Sequence, residues 1–238
     1  MRRGSLIGAL LSALLLFPGA KAMAQPRLLP SIGSDARPDD SVAICPIPVY
    51  TGDFNASGYR IGDTVPDFTL YTSDGRRAHL REELMRGRPV LLVGSSYTCP
   101  VYRGRVADVN ALQRTYGNRI SIFVIYVVEG RPVTDPSPYR GVEWTMEENS
   151  RVGISCRQPT TYGERVAIAR EMSRAMDLKP PLLIDGPCNE WWSHFGPAPN
   201  GAYLIDTNGV VAAHHGWMNR GSNNMGADIR RLLKRRRR

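Results

Sequence analysis

Apolar positions fall into short runs separated by polar, Gly- and Pro-rich stretches. Val90, Leu91, Leu92 and Val93 form one such run, entered through Pro89 and leaving through Gly94-Ser95-Ser96-Tyr97-Thr98-Cys99-Pro100. An unbroken apolar run this short predicts a strand buried on both faces, and residues 120–128 read the same way. Between them Val106, Val109, Leu112 and Tyr116 recur at three- and four-residue steps, one helix face closed by Gly117-Asn118. Upstream, Phe68, Leu70, Ala78 and Leu80 alternate around Ser73-Asp74-Gly75, a hairpin signal, followed by a single helical turn over 81–85. Downstream the pattern predicts a Pro- and Gly-broken loop over 130–141 and an amphipathic helix over 164–176. A strand over 182–184, a hairpin turning at Asp206-Thr207-Asn208-Gly209 and a closing helix over 228–233 complete the chain.

Strand–helix–strand, a further helix, then a closing hairpin and helix is the order of an α/β thioredoxin-like fold. It implies a central mixed β-sheet flanked by helices, here with an N-terminal hairpin extension as in redoxins. Chemistry in such sheets sits beyond the carboxyl ends of strands, where Cys99 falls. Pro100 suits the first helical position, so the thiol is delivered to the start of a helix, whose free N–H groups favour thiolate over thiol.

The ends read differently. Arg2 and Arg3, an apolar run over 6–17 and Ala22-Met23-Ala24 make residues 1–24 a signal peptide cleaved near Ala24, so the protein is expected to be exported, periplasmic or secreted. The run is too short for a good spanning helix. Residues 25–59, rich in Pro, Ser, Gly and Asp, are either a leader draped over the domain, with Cys45 as a fixing point, or a linker. The working domain is expected over 60–233 and a basic tail over 234–238. The formal charge of +9 falls to +6 without Arg2, Arg3 and Lys21. The tail is either a solvated end or a weak contact to an anionic surface, and an exported chain without interleaved aromatic motifs is not expected to bind nucleic acid.

Four cysteines, Cys45, Cys99, Cys156 and Cys188, allow three complete pairings. Tyr102 stands three after Cys99, so a dithiol swap within one motif is excluded. Cys156 and Cys188 are candidate resolving thiols, or partners in a mutual bridge.

Gly62-Asp63-Thr64-Val65-Pro66-Asp67-Phe68-Thr69-Leu70, then Asp74-Gly75 and Arg88-Pro89-Val90-Leu91-Leu92, resembles the opening of peroxiredoxin and redoxin domains. Ser96-Tyr97-Thr98-Cys99-Pro100 resembles more particularly the iodothyronine deiodinase family and its bacterial relatives, whose matching position is selenocysteine in animals and often cysteine elsewhere. Ile125-Tyr126 followed by Glu129, then Trp144, Asp185 with Asn189, and Ala198-Pro199 leading into Tyr203 extend the resemblance over roughly residues 60–218. It implies a thiol oxidoreductase with Cys99 as nucleophile, needing no cofactor. Two departures stand out. Glu129-Gly130-Arg131 replaces the family's Glu-Ala-His, which counts against hormone-type recognition, and the peroxiredoxin Pro-x-x-x-Thr-x-x-Cys spacing is absent.

Around Cys99, Ser96 and Thr98 are candidate hydroxyls, Arg103 a candidate partner for the thiolate and Glu129 a candidate proton relay. Pro199 is a candidate cis-proline facing the thiol. His214 and His215 read as strand-end histidines with a general acid as the alternative; Trp191, Trp192 and His194 read as packing. No compact metal-ligand spacing appears. The expected activity is reduction of a peroxide, a disulfide or a halogenated aromatic, supported by an external thiol or a thioredoxin-like reductase. The alternatives are a non-catalytic binding module, using the 130–141 loop and a Trp191-Trp192 surface, and a structural envelope protein held by its tail.

Overall fold

The computed structural model describes residues 25–236, so the expected signal peptide lies outside the described residues. Among the described residues eight strands make one mixed sheet. Its centre is β4 (Val90–Ser95), parallel to β5 (Ser121–Tyr126) and antiparallel to β7 (Ala202–Ile205). β5 is parallel to β6 (Leu182–Ile184), which pairs antiparallel with β2 (Pro66–Thr72). The hairpin of β2 with β3 (Arg77–His79) turns at Gly75, whose positive φ of 82° suits glycine. β7 and β8 (Val211–His215) form the second hairpin. The short parallel strand β1 (Leu29–Ile32) edges the sheet, in a segment whose sequence shows no strand period.

Alternation along β4 divides the core. Leu91 and Val93 join one apolar cluster with α3 (Val106–Tyr116), α5 (Tyr162–Ala175) and α7 (Met225–Arg235). Val90 and Leu92 join the other, with α1 (Leu80–Met85) and α6 (Glu190–Phe195). Each of these four strand residues is fully buried, worth about 1.5–3 kcal/mol apiece. α5 starts two residues earlier than its apolar face implies because Thr161 and Glu164 form a reciprocal capping box. α7 runs through Arg235, so the basic run begins inside a helix, at Lys234 and Arg235. Trp191 and Trp192 are buried, so they offer no surface to a partner. No described helix is long and apolar enough to cross a membrane.

The leader runs over the domain. Cys45 and Cys188 form a disulfide spanning a sequence separation of 143 residues. This corrects the expectation for Cys188: its sulfur is committed to Cys45, so it is neither the resolving thiol nor a partner for Cys156. Cys99 and Cys156 are free.

Candidate active site

β4 ends at Ser95, and Ser96, Tyr97 and Thr98 carry the chain to Cys99, the N-cap of the one-turn helix α2 (Pro100–Arg103). Pro100 holds the first helical position, where its missing N–H is harmless. The helix stops after one turn; the chain then bends at Gly104-Arg105 into α3. A single turn supplies less field than the long helix the apolar pattern suggested. Cys99 is fully buried, and its sulfur makes no hydrogen bond among the described residues.

Glu129 organises the approach to the thiol. It is fully buried just beyond β5 and accepts five hydrogen bonds. Its Oε2 accepts from Thr98 N (2.7 Å), Ser96 Oγ (3.0 Å) and the Thr98 hydroxyl; its Oε1 accepts from Tyr97 N (3.1 Å) and the Tyr126 hydroxyl. Gly130 N donates to Ser96 Oγ at 3.0 Å and Arg131 N to Thr98 Oγ1 at 2.9 Å. Ser96 and Thr98 therefore face Glu129 rather than the thiol, and Glu129 ties down the loop rather than standing free as a proton relay. Burying one carboxylate is tolerable because every lone pair has a donor. Gly130 suits its place: a Cβ there would come within 3.1 Å of the Tyr139 ring.

Further side chains lock the same loop, among them Gln158 and Asn149, which nothing in their spacing signalled. Gln158 grips the Glu129 backbone with both ends of its amide, accepting from N at 3.0 Å and donating to O at 2.5 Å. Asn149, on the short helix α4 (Glu147–Arg151), donates to Thr98 O at 2.9 Å. Arg103, one turn after Cys99, donates to Tyr97 O at 3.0 Å and stands 3.9 Å from Glu148. Burial lowers its pKa, partly offset by Glu148 and by Cys99 itself, which puts the guanidinium within electrostatic reach of the thiol.

Beside α2 opens a cleft of about 430 Å³, lined by Tyr50, Phe54, Tyr139, Trp144, Trp217 and Pro199 together with Val101 and three arginines. Arg131 and Arg140 lie over the Trp144 ring, at 4.1 and 4.8 Å, and Arg220 over Trp217 at 5.7 Å. Pro199 faces this cleft but is not cis; no cis peptide occurs among the described residues. Cys156 packs at the edge of the Cys99 cluster. Burial pushes its thiol pKa well up, with Glu129 and Glu171 adding to the effect. His214 stacks on Tyr203 at 4.2 Å, burial holding its pKa down at about 4, and His215 pairs with Asp228 at 2.9 Å. Neither lines the cleft, which leaves the general-acid alternative unsupported. Asp185 caps α6, accepting from Trp191 N and Trp192 N at 2.9 Å each. No cluster of three or more His, Cys, Asp or Glu among the described residues is placed to hold a metal ion.

A mixed sheet with a single cysteine just past the end of its central strand, capping a one-turn helix, defines a thioredoxin-like fold. No family model matches the chain. The type I iodothyronine deiodinase of Xenopus laevis is 20% identical over 153 residues, which cover 63% of this chain. The match takes in 55% of that enzyme, so the chain spans about half the length of the curated relative. Among solved structures, a provisional thiol:disulfide interchange protein DsbE from Chlorobium tepidum matches with a TM-score of 0.51 and 16% identity, covering 73% of this chain and 98% of the other. An uncharacterised protein from Geobacillus kaustophilus matches with a TM-score of 0.51 and 14% identity, over 74% and 82%. The fold is thioredoxin-like.

Proposed function

We propose that the chain is an exported thiol-dependent oxidoreductase in which Cys99 is the nucleophile. The observation carrying this reading is the loop Ser96–Thr98, held by one buried carboxylate so that the strand end presents a lone thiol beside an aromatic, arginine-lined cleft. Such rigidity at a strand end is what a reacting atom needs. Aromatic walls and three arginines favour an aromatic, anionic substrate over an extended protein disulfide.

In the proposed cycle the Cys99 thiolate attacks an electrophilic atom of the substrate. With a disulfide it forms a mixed disulfide and expels one thiolate; with a peroxide it takes one oxygen as sulfenic acid and releases an alcohol or water. With an aryl iodide it takes the iodine as a sulfenyl iodide while a proton replaces iodine on the ring. Two equivalents of an external thiol then restore Cys99 and leave as a disulfide. Cys156 is a poor resolving group, because burial keeps its proton on. Arg103 supports the thiolate, Glu129 and Gln158 position the loop, and Pro199 shapes the cleft. The test is turnover of an aromatic disulfide, a peroxide and an iodophenol with dithiothreitol as reductant. Cys99→Ser is expected to abolish turnover of whichever is used, and Cys156→Ser to change it less than about threefold. Equal turnover by wild type and Cys99→Ser would overturn the proposal.

The second reading, a non-catalytic binding module, is favoured by one observation: Cys99 is fully buried.

A further inference from the structure

A buried nucleophile beside an open cleft raises the question of what moves to expose it. The chain between Cys45 and the domain proper is unusual in this molecule. From Arg27 to Thr64 no residue is fully buried. Several hydrogen bonds of the segment 46–61 are internal, such as Tyr50 Oη to Asp53 O at 2.9 Å and Ser57 Oγ to Phe54 O at 2.9 Å. Its hydrogen bonds to the rest of the protein are few, Tyr50 N to Pro138 O at 2.7 Å and Tyr203 Oη to Ser57 O at 3.3 Å, and at its far end Tyr59 packs edge-on against Phe195 at 5.2 Å. Both ends are firmly held. At one end Cys45 is bonded to Cys188, and Cys45 N donates to Pro187 O at 2.9 Å. At the other, Gly62 N donates to Val211 O at 2.9 Å.

Between those anchors the segment forms the outer wall of the cleft. Phe54 packs edge-on against Tyr139 (5.6 Å between centroids) and Trp217 (5.3 Å), and Tyr50 tilts against Phe54 (5.2 Å). Tyr139 is the link to the thiol. It shares the cleft wall with Val101, two residues after Cys99, and donates to Pro197 O at 2.7 Å, in the turn that carries Pro199. A segment with little buried surface and few external hydrogen bonds opens at low free-energy cost, and a covalent anchor limits how far it opens.

We infer that residues 46–61 are a lid over Cys99, and that the Cys45–Cys188 disulfide keeps it closed. A dithiol reductant would supply two electrons and two protons, converting the bond to two thiols while the dithiol closes to its own disulfide. The freed strap would then carry Phe54 off Tyr139 and open the way to Cys99. The inference goes beyond the proposed function: it concerns access to the thiol, whatever that thiol does.

The test uses the chain from Gln25 onward and iodoacetamide, with labelling at Cys99 followed by peptide mass spectrometry. The paired variant Cys45→Ser/Cys188→Ser removes the bond without leaving an odd thiol; Phe54→Ala loosens the wall with the bond intact. The expected result is that both variants label Cys99 at least about tenfold faster than wild type. In the paired variant, a deuterium pulse shorter than a minute should reach amides of 46–61 while those of β4 and β5 stay protected. Labelling within twofold of wild type in both variants overturns the lid. Exchange of β4 and β5 in the same pulse overturns it too, because the bond would then hold the whole fold rather than a strap. A Cys99 that labels quickly on opening yet turns nothing over leaves the lid standing and defeats the proposed function, so the two failures are separable.

Discussion

Glu129→Gln is a change of one atom at the centre of the site. The carboxylate accepts five hydrogen bonds, two of them from backbone N–H groups. Glutamine supplies one acceptor oxygen and an NH2 that can only donate. The best arrangement keeps the carbonyl on Thr98 N, Ser96 and Thr98, where Oε2 now sits, and turns the NH2 toward Tyr126, whose hydroxyl can rotate to accept. Tyr97 N–H is then left buried without a partner, which costs about 1–3 kcal/mol. The three retained bonds lose their charge assistance, and at roughly half strength they give up about another 1–2 kcal/mol together. The expected loss is about 2–5 kcal/mol in equilibrium urea unfolding, with the slope unchanged. Labelling of Cys99 by iodoacetamide should rise in the same variant as the loop loosens. Thr98→Val, which removes one donor to the carboxylate and the acceptor for Arg131 N, should cost less, about 1–2 kcal/mol. A Glu129→Gln loss below about 1 kcal/mol, or a Thr98→Val loss larger than that of Glu129→Gln, would refute the ordering argued from these contacts.

His214 makes stability pH-dependent. Its pKa in the fold is lowered to about 4 by burial, with His215 adding to the effect, so below about pH 6.5 the unfolded chain binds a proton that the folded chain refuses. Stability is therefore level above that pH and falls as pH drops toward 4, by about 1–2 kcal/mol after allowing for its solvated part. His214→Phe, which keeps the stack on Tyr203, should flatten the fall seen in urea midpoints; an unaltered slope would point elsewhere. Arg103→Met keeps the stem and removes the charge and the bond to Tyr97 O, and at neutral pH should slow Cys99 alkylation about three- to tenfold. An unchanged rate would show that the guanidinium does not act on the thiol.

Much of the fold was legible because its strands are buried on both faces or alternate cleanly. The 90–93 and 120–128 runs, the two hairpins and the face Val106-Val109-Leu112-Tyr116 all correspond to strands and helices in the structure. The exceptions have local causes. β1 lacks an apolar period since its residues are mostly exposed, and it is held by pairing to β2 rather than by burial. α6 is six residues long, too short for a period to show, and Asp185 starts it through side-chain acceptance that spacing does not reveal. In the site, Ser96, Thr98 and Glu129 meet one another in the loop before Cys99, in other roles than expected: the hydroxyls serve Glu129, and Glu129 serves the backbone. Gln158 and Asn149 were invisible because amide clamps on backbone groups follow no motif. The cleft joins Phe54, Tyr139 and Trp217 from three distant segments, and the Cys45–Cys188 pairing closes a span that no spacing rule could select among the three possibilities.

The most direct test of the account is a single-turnover experiment. The chain from Gln25 onward, with Cys45–Cys188 intact, would be treated with one equivalent of an aromatic disulfide bearing carboxylates, and each cysteine mapped by peptide mass spectrometry. The account predicts a mixed disulfide on Cys99 exceeding that on Cys156 by at least about tenfold, discharged by added thiol and absent from Cys99→Ser. Modification mainly at Cys156, or none at either thiol while the denatured chain reacts at both, would contradict it.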